Sequence, residues 1–94
     1  MSSNNSDTVF IGKKPLMTYV TSVIVQLATM PLVIIKARGL SIGRAVDVSQ
    51  IVLQRTDTAF VIENVKVGSE SLTSTDGKNR NVSTIEISMK RTNT

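Results

Sequence analysis

Apolar residues recur along this chain in two rhythms, and the switches between them outline a fold. Thr8–Gly12 (TVFIG) is a short apolar run closed by a glycine and reads as a buried strand. Pro15 follows, suited to the first turn of a helix because the missing N–H costs nothing there. Leu16, Val20, Val23, Ile24 and Leu27 then fall at helical spacing and form one stripe. Their many β-branched neighbours weaken helix propensity, so this helix needs packing to form. Pro31 stops the pattern, and Leu32–Arg38 (LVIIKAR) is a strong buried-strand signal. Strand, helix and strand in so short a stretch make a βαβ unit, with parallel strands and a right-handed crossover.

Gly39 turns the chain, and Ser41 is placed to cap a second helix running to about Arg55. This helix carries apolar residues on two sides. Ile42, Ala45, Val46, Ser49 and Leu53 form one stripe, and Val48, Ile51 and Val52 another beside it. Either it sinks deeply into its own core, or one face packs on the sheet while the other meets a second subunit. Ala59–Leu72 and Asn81–Lys90 are long strands, and Ile85, Ile87 and Met89 alternate with polar residues as a half-buried strand requires. The polar segment Thr73–Asn81 between them contains Asp76-Gly77, a hairpin signal. The fold class expected is α+β: a two-layer α/β sandwich of order β-α-β-α-β-β, two helices on one face of a four-stranded mixed sheet. Residues 8–91 form the single domain, 1–7 a disordered N-terminal tail and 92–94 a C-terminal tail.

Composition narrows the chemistry. With no cysteine and no histidine, thiolate and imidazole sites are excluded, and no carboxylates cluster as ligands. An enzyme is not expected, nor any metal or cofactor. The region Leu16–Ile35 is too interrupted by polar residues and Pro31 to span a membrane, and Met1–Thr8 lacks the pattern of a signal peptide. An intracellular, soluble protein follows.

The net charge of +4 is unevenly spread. Between Thr8 and Val46 stand Lys13, Lys14, Lys36, Arg38 and Arg44 with no acidic residue. The carboxyl ends of parallel strands face one edge of a sheet. That places Lys13 and Lys14, after the first strand, on the same rim as Lys36 and Arg38 at the end of the second, with Arg44 one helical turn further on. The helix start beside the lysine pair also favours anions. Lys78 and Arg80 sit on a hairpin with no apolar face to bury, the kind of arm that lies along a nucleic-acid groove. Phe10 and Phe60 read as core residues, which leaves Tyr19 alone for display, and no helix is rich in base-reading side chains. Binding to a polyanion should be led by charge and shape and should fall steeply with salt.

The segments VFIGKKPLMTYV, VIIKARGLSIGRAVD and VGSESLTSTDGKNRNVSTIEI resemble, in order and spacing, the Alba family of small basic archaeal chromatin proteins. The resemblance covers Thr8 to Arg91. It implies a fold like the C-terminal domain of translation initiation factor three and an obligate homodimer, with a heterodimer of paralogues as a variant. It also implies sequence-nonspecific binding of double-stranded DNA and RNA, packaging or protecting the nucleoid in the cytoplasm. An RNA-binding or RNA-chaperone role, including a subunit associated with RNase P, is the alternative. By position, Lys13 and Lys14 match the central lysine pair, Lys13 the acetylated lysine, Arg38 a further basic contact, and Lys78 with Arg80 the groove-entering hairpin. The dimer contact falls to Val48, Ile51, Val52 and Arg55. Two departures stand out. Leu40 occupies a position that is often basic, and Thr56 one where some members carry a phenylalanine that joins neighbouring dimers.

Overall fold

The computed structural model describes residues 6–57 and 59–92. The elements are β1 (Ser6–Phe10), α1 (Leu16–Leu27), β2 (Leu32–Arg38), a single 3-10 turn at Gly39–Ser41, α2 (Ile42–Arg55), β3 (Phe60–Thr73) and β4 (Asn79–Arg91). The sheet order is β1-β2-β4-β3; β1 and β2 are parallel and the other pairs antiparallel, so the expected four-stranded mixed sheet is present. Both helices pack against it, and none among the described residues is long and apolar enough to cross a membrane.

Alternation along the strands decides which residues the helices cover. In register, Val33 faces Met89, Ile35 faces Ile87 and Ala37 faces Ile85. All six are buried, and they form the floor under Val20, Val23 and Leu27 of α1 and Ala45, Val48 and Val52 of α2. Burying each valine, leucine, isoleucine or methionine among them is worth about 1.5–3 kcal/mol. The opposite, open face of the sheet carries Lys36, Arg38, Glu86 and Lys90, where ion pairs form between strands: Lys36 with Glu86 at 3.8 Å and Lys90 with Glu63 at 3.5 Å.

Several local expectations change. β1 starts at Ser6, so Ser6 and Asp7 belong to the sheet rather than to the tail; residues 1–5, 93 and 94 lie outside the described residues. Pro15 is the residue before α1, with extended ψ of 141°, and Ser41 makes no capping hydrogen bond because the 3-10 turn already leads the chain into α2. In α2 the buried residues are Ala45, Val48, Ser49 and Val52, one stripe drawn from both expected ones. Ser49 fits there because its hydroxyl donates to the Val46 carbonyl at 2.7 Å.

That stripe corrects the subunit-contact expectation. Val48 and Val52 are wholly enclosed by their own protomer, which removes them from any partner's reach. Ile51 packs against the same core, and of the residues assigned to that contact Arg55 alone is exposed.

The hairpin is longer than a loop. β3 and β4 stay paired out to Thr73 and Asn79, and β3 is exposed from Glu63 onward because no helix covers it. One extra residue, Glu63, bulges from β3 between Ile62 and Asn64 where the ribbon leaves the body. The molecule is accordingly elongated, 51 × 33 × 20 Å.

Candidate nucleic-acid interface

Three pieces of chain meet at one end of the sheet. β1 and β2 run parallel and finish together, so the loop after Phe10 and the end of β2 at Arg38 share a rim. β4 runs the other way, and Thr84 lies opposite Arg38. Residues before Thr84 therefore extend past that rim. At about 3.3 Å per residue, Arg80 stands roughly 13 Å and Lys78 roughly 20 Å beyond it. The lysine loop and the hairpin tip project from the same end of the molecule.

The loop is held on both sides by side chains from the two helices. The Tyr19 hydroxyl, from α1, accepts the backbone N–H of Gly12 at 2.9 Å and of Lys14 at 3.1 Å. Arg44, from α2, donates Nε to the Gly12 carbonyl at 3.1 Å and a terminal nitrogen to the Lys14 carbonyl. Both peptide groups flanking Lys13 are thus fixed, and the two lysine side chains are left exposed. Among the described residues neither has a carboxylate partner. Gly12 suits this close approach, since an added Cβ would come within 3.2 Å of the Tyr19 oxygen. The start of α1 has no acidic residue in its first turn, so its dipole adds to the positive field.

The hairpin tip is built differently. The Gly77 N–H donates to the Ser74 carbonyl at 3.0 Å, and the Ser74 N–H to the Lys78 carbonyl at 2.9 Å. This is the three-residue loop with a left-handed last residue, here Gly77 at φ 84°. Asp76 organises it by accepting from the Ser74 hydroxyl and from the Lys78 N–H. Those two bonds, the hydroxyl's first, hold its carboxyl below the ordinary carboxylate pKa. Lys78 and Arg80 are exposed and, among the described residues, have no acidic partner.

The family model for Alba matches residues 7–69. The chain belongs to the Alba family. It is 64% identical over 92 residues to the DNA/RNA-binding protein Alba of Nitrosopumilus maritimus, covering 97% of each chain. The same-named protein of Methanocella arvoryzae is 41% identical over 86 residues, 90% of each. Among solved structures, Alba from Thermoplasma volcanium superposes with a TM-score of 0.82 at 39% identity, over 89% of this chain and 99% of that one. An Alba protein from Trypanosoma brucei shares the fold at a TM-score of 0.72 and 19% identity, over 92% of this chain and 69% of that one.

On this Alba fold the expected cations separate into groups. Among the described residues, Lys13, Lys14, Lys78 and Arg80 have no carboxylate partner. Lys36 and Arg38 lie on the open face, and Arg38 pairs with Glu70 at 3.1 Å. Exposed pairs of this kind contribute about 0–1 kcal/mol, so a phosphate can exchange for the carboxylate. Arg44 has a second role as a support: Nε and one terminal nitrogen hold the loop carbonyls, while its half-exposed guanidinium keeps its charge beside the lysines. The aromatic expectation holds for Phe60, which is buried, and reverses for the other two. Tyr19 is buried and holds the loop, whereas Phe10 is 71% exposed. Sequence reasoning missed the tie between Tyr19, Arg44 and the loop; the β1-to-α1 spacing was its only trace.

Proposed function

We propose that this Alba-family protein binds double-stranded DNA and RNA through phosphate-led contacts, without strong sequence preference, and that it does so as a dimer. One observation carries the reading: four unpaired cations, two on a pinned loop and two on a projecting arm, extend from one end of the sheet. A braced pair seats the backbone of a duplex while a projecting ribbon follows its groove. The names of the relatives, which include both nucleic acids, support the same ligand class. Such a protein would act on the chromosome, packaging or protecting it, and acetylation of Lys13 would weaken its grip by removing the charge at the loop's apex.

The dimer reading rests on an apolar surface beside α2. Arg44 marks the flank of α2 turned towards α1. Val46 and Leu53 lie on the opposite flank, towards β3. There Val65 and Val67, on the helix side of the sheet, stay 51% and 74% exposed. A second copy laid on this surface would cover them and align two basic ends, which a duplex longer than one protomer requires.

The test is affinity as a function of salt, measured by fluorescence anisotropy with unrelated duplexes in DNA and RNA form. If all four cations of each subunit in a dimer neutralise phosphates, the slope of log K against log salt is about −7. Competition between matched DNA and RNA duplexes ranks the two ligands. Salt-insensitive binding, or affinity confined to one sequence, would contradict the reading.

A further inference from the structure

The open face of the sheet presents an aromatic ring that the core does not use. Phe10 lies between Val9 and Ile11, which are each 7% exposed, yet the alternation of β1 turns it outward to 71%. Lys36, directly across in register, holds its ammonium 6.0 Å from the ring centroid. Arg38, Glu70, Thr84 and Glu86 complete the rim of a shallow concavity of about 480 Å³. The two cations there are balanced by the two carboxylates at 3.8 and 3.1 Å. The charges that line it thus pair off, unlike those of the bare lysine loop, and Lys66, across from Glu86 in register, adds one positive charge beside them.

A flat, neutral ring with polar edges fits this environment better than a phosphate does. The face of Phe10 offers stacking, which is tolerant of base identity. Around it, carboxylates accept from amino groups at a base edge, and the Thr84 hydroxyl both donates and accepts. The concavity is lined by Phe10 and Ile11, the residues that lead into the loop. Phe10 precedes Lys13 by three residues, roughly 11 Å at full extension. The Ile11 N–H is tied to the Lys36 carbonyl at 2.9 Å, which fixes the ring's strand to the strand of the cations.

We propose that Phe10 is a stacking platform for an unpaired nucleobase of RNA or DNA, taken from a strand that continues past the duplex seated on Lys13 and Lys14. The inference deepens the nucleic-acid reading above and rests on it. It gives the protein a preference for duplex ends and junctions that carry a single-stranded extension.

The experiment compares one duplex, blunt or with a short single-stranded overhang, each in ribo and deoxyribo form, by fluorescence anisotropy at constant salt. The overhang should tighten binding about fivefold or more, from one stacked base. Phe10→Ala should erase that advantage and leave blunt-duplex affinity unchanged, while Phe10→Tyr should keep it. Because Phe10 is exposed, these variants should retain the wild-type circular dichroism. In a Phe10→Trp variant, overhang oligonucleotides should quench the indole fluorescence and blunt ones should not. Whichever sugar form gains more identifies the source of the base. Equal binding of blunt and overhang duplexes by the wild type would overturn the proposal, as would an advantage that survives Phe10→Ala. A Phe10→Ala change in sedimentation with the advantage intact would assign the face to a subunit contact, which also overturns it. Failure to bind any duplex would instead sink the function reading, and quenching of Phe10→Trp by a single strand alone would separate the two.

Discussion

The lysine loop and the hairpin arm each carry two bare cations, but they differ in how they are held. The loop's backbone is fixed by Tyr19 from α1 and Arg44 from α2, so Lys13 and Lys14 stand on a rigid base. The arm depends on its own ladder and on a small cluster around Asp76 at its tip. A group whose backbone is braced by other elements loses little entropy on binding, whereas one on a ribbon held only by its own ladder has more freedom to lose. Equal charge need not give equal affinity.

The largest expected effect tests that contrast directly. Lys13→Ala combined with Lys14→Ala and Lys78→Ala combined with Arg80→Ala should each lower the salt slope by a similar amount, about 1.8 per subunit. The loop pair should nevertheless cost more affinity, by about tenfold, and equally for unrelated sequences. Parallel anisotropy titrations over a range of salt would read both quantities. Equal losses would show that the rigid mounting contributes nothing.

A smaller effect should come from loosening the mounting while keeping the charge pair. Arg44→Met preserves most of the stem and leaves the Gly12 and Lys14 carbonyls without their partner. Half-buried hydrogen bonds of this type contribute about 0.5–1.5 kcal/mol each. Affinity should fall several-fold, more than loss of one distant charge explains, and amide exchange at Gly12 and Lys14 should quicken. Tyr19→Phe should quicken it as well without altering net charge.

The smallest effect belongs to the arm's tip. The carboxyl of Asp76 titrates below its ordinary value of 3.8 because the Ser74 hydroxyl and the Lys78 N–H favour the charged form. A depressed folded pKa means that its contribution is fully present above the ordinary value and is lost as pH falls through the lower one. The amide signals of Ser74 and Lys78 should therefore hold steady down to that range and shift only below it. Asp76→Asn should abolish the pH response and leave the melting temperature of the body unchanged.

Much of this arrangement was legible from sequence because the strongest patterns coincide with real packing. Leu32–Arg38 is β2 to the residue, and the alternation of Ile85, Ile87 and Met89 marks the core side of β4. The failures have physical causes. Phe10 and Tyr19 were sorted by residue type, but strand parity turns Phe10 outward and two backbone N–H groups give the Tyr19 hydroxyl a buried role. In α2 the expected stripe grouped Val46 and Leu53 with Ala45 and Ser49. Packing buries Ala45 and Ser49, whose small side chains fit against the sheet, keeps Leu53 at the core's edge and leaves Val46 40% exposed. Arg44 bonds to backbone atoms some thirty positions away, and no periodicity records such a contact.

The bulge at Glu63 has a consequence for the whole outer ribbon. Ile62 is paired with Met89 and Val65 with Ile87, so both lie on the helix side although they stand three positions apart, an odd offset that a regular strand would place on opposite faces. The extra residue acts as a phase shift between two stretches of one strand. Were Glu63 instead taken into the ladder as an ordinary residue, Val65 and Val67 would turn to the other surface and Lys66 would come round in their place, with no change of charge. Which side of the ribbon is greasy and which is basic is thus decided by one residue standing outside the ladder.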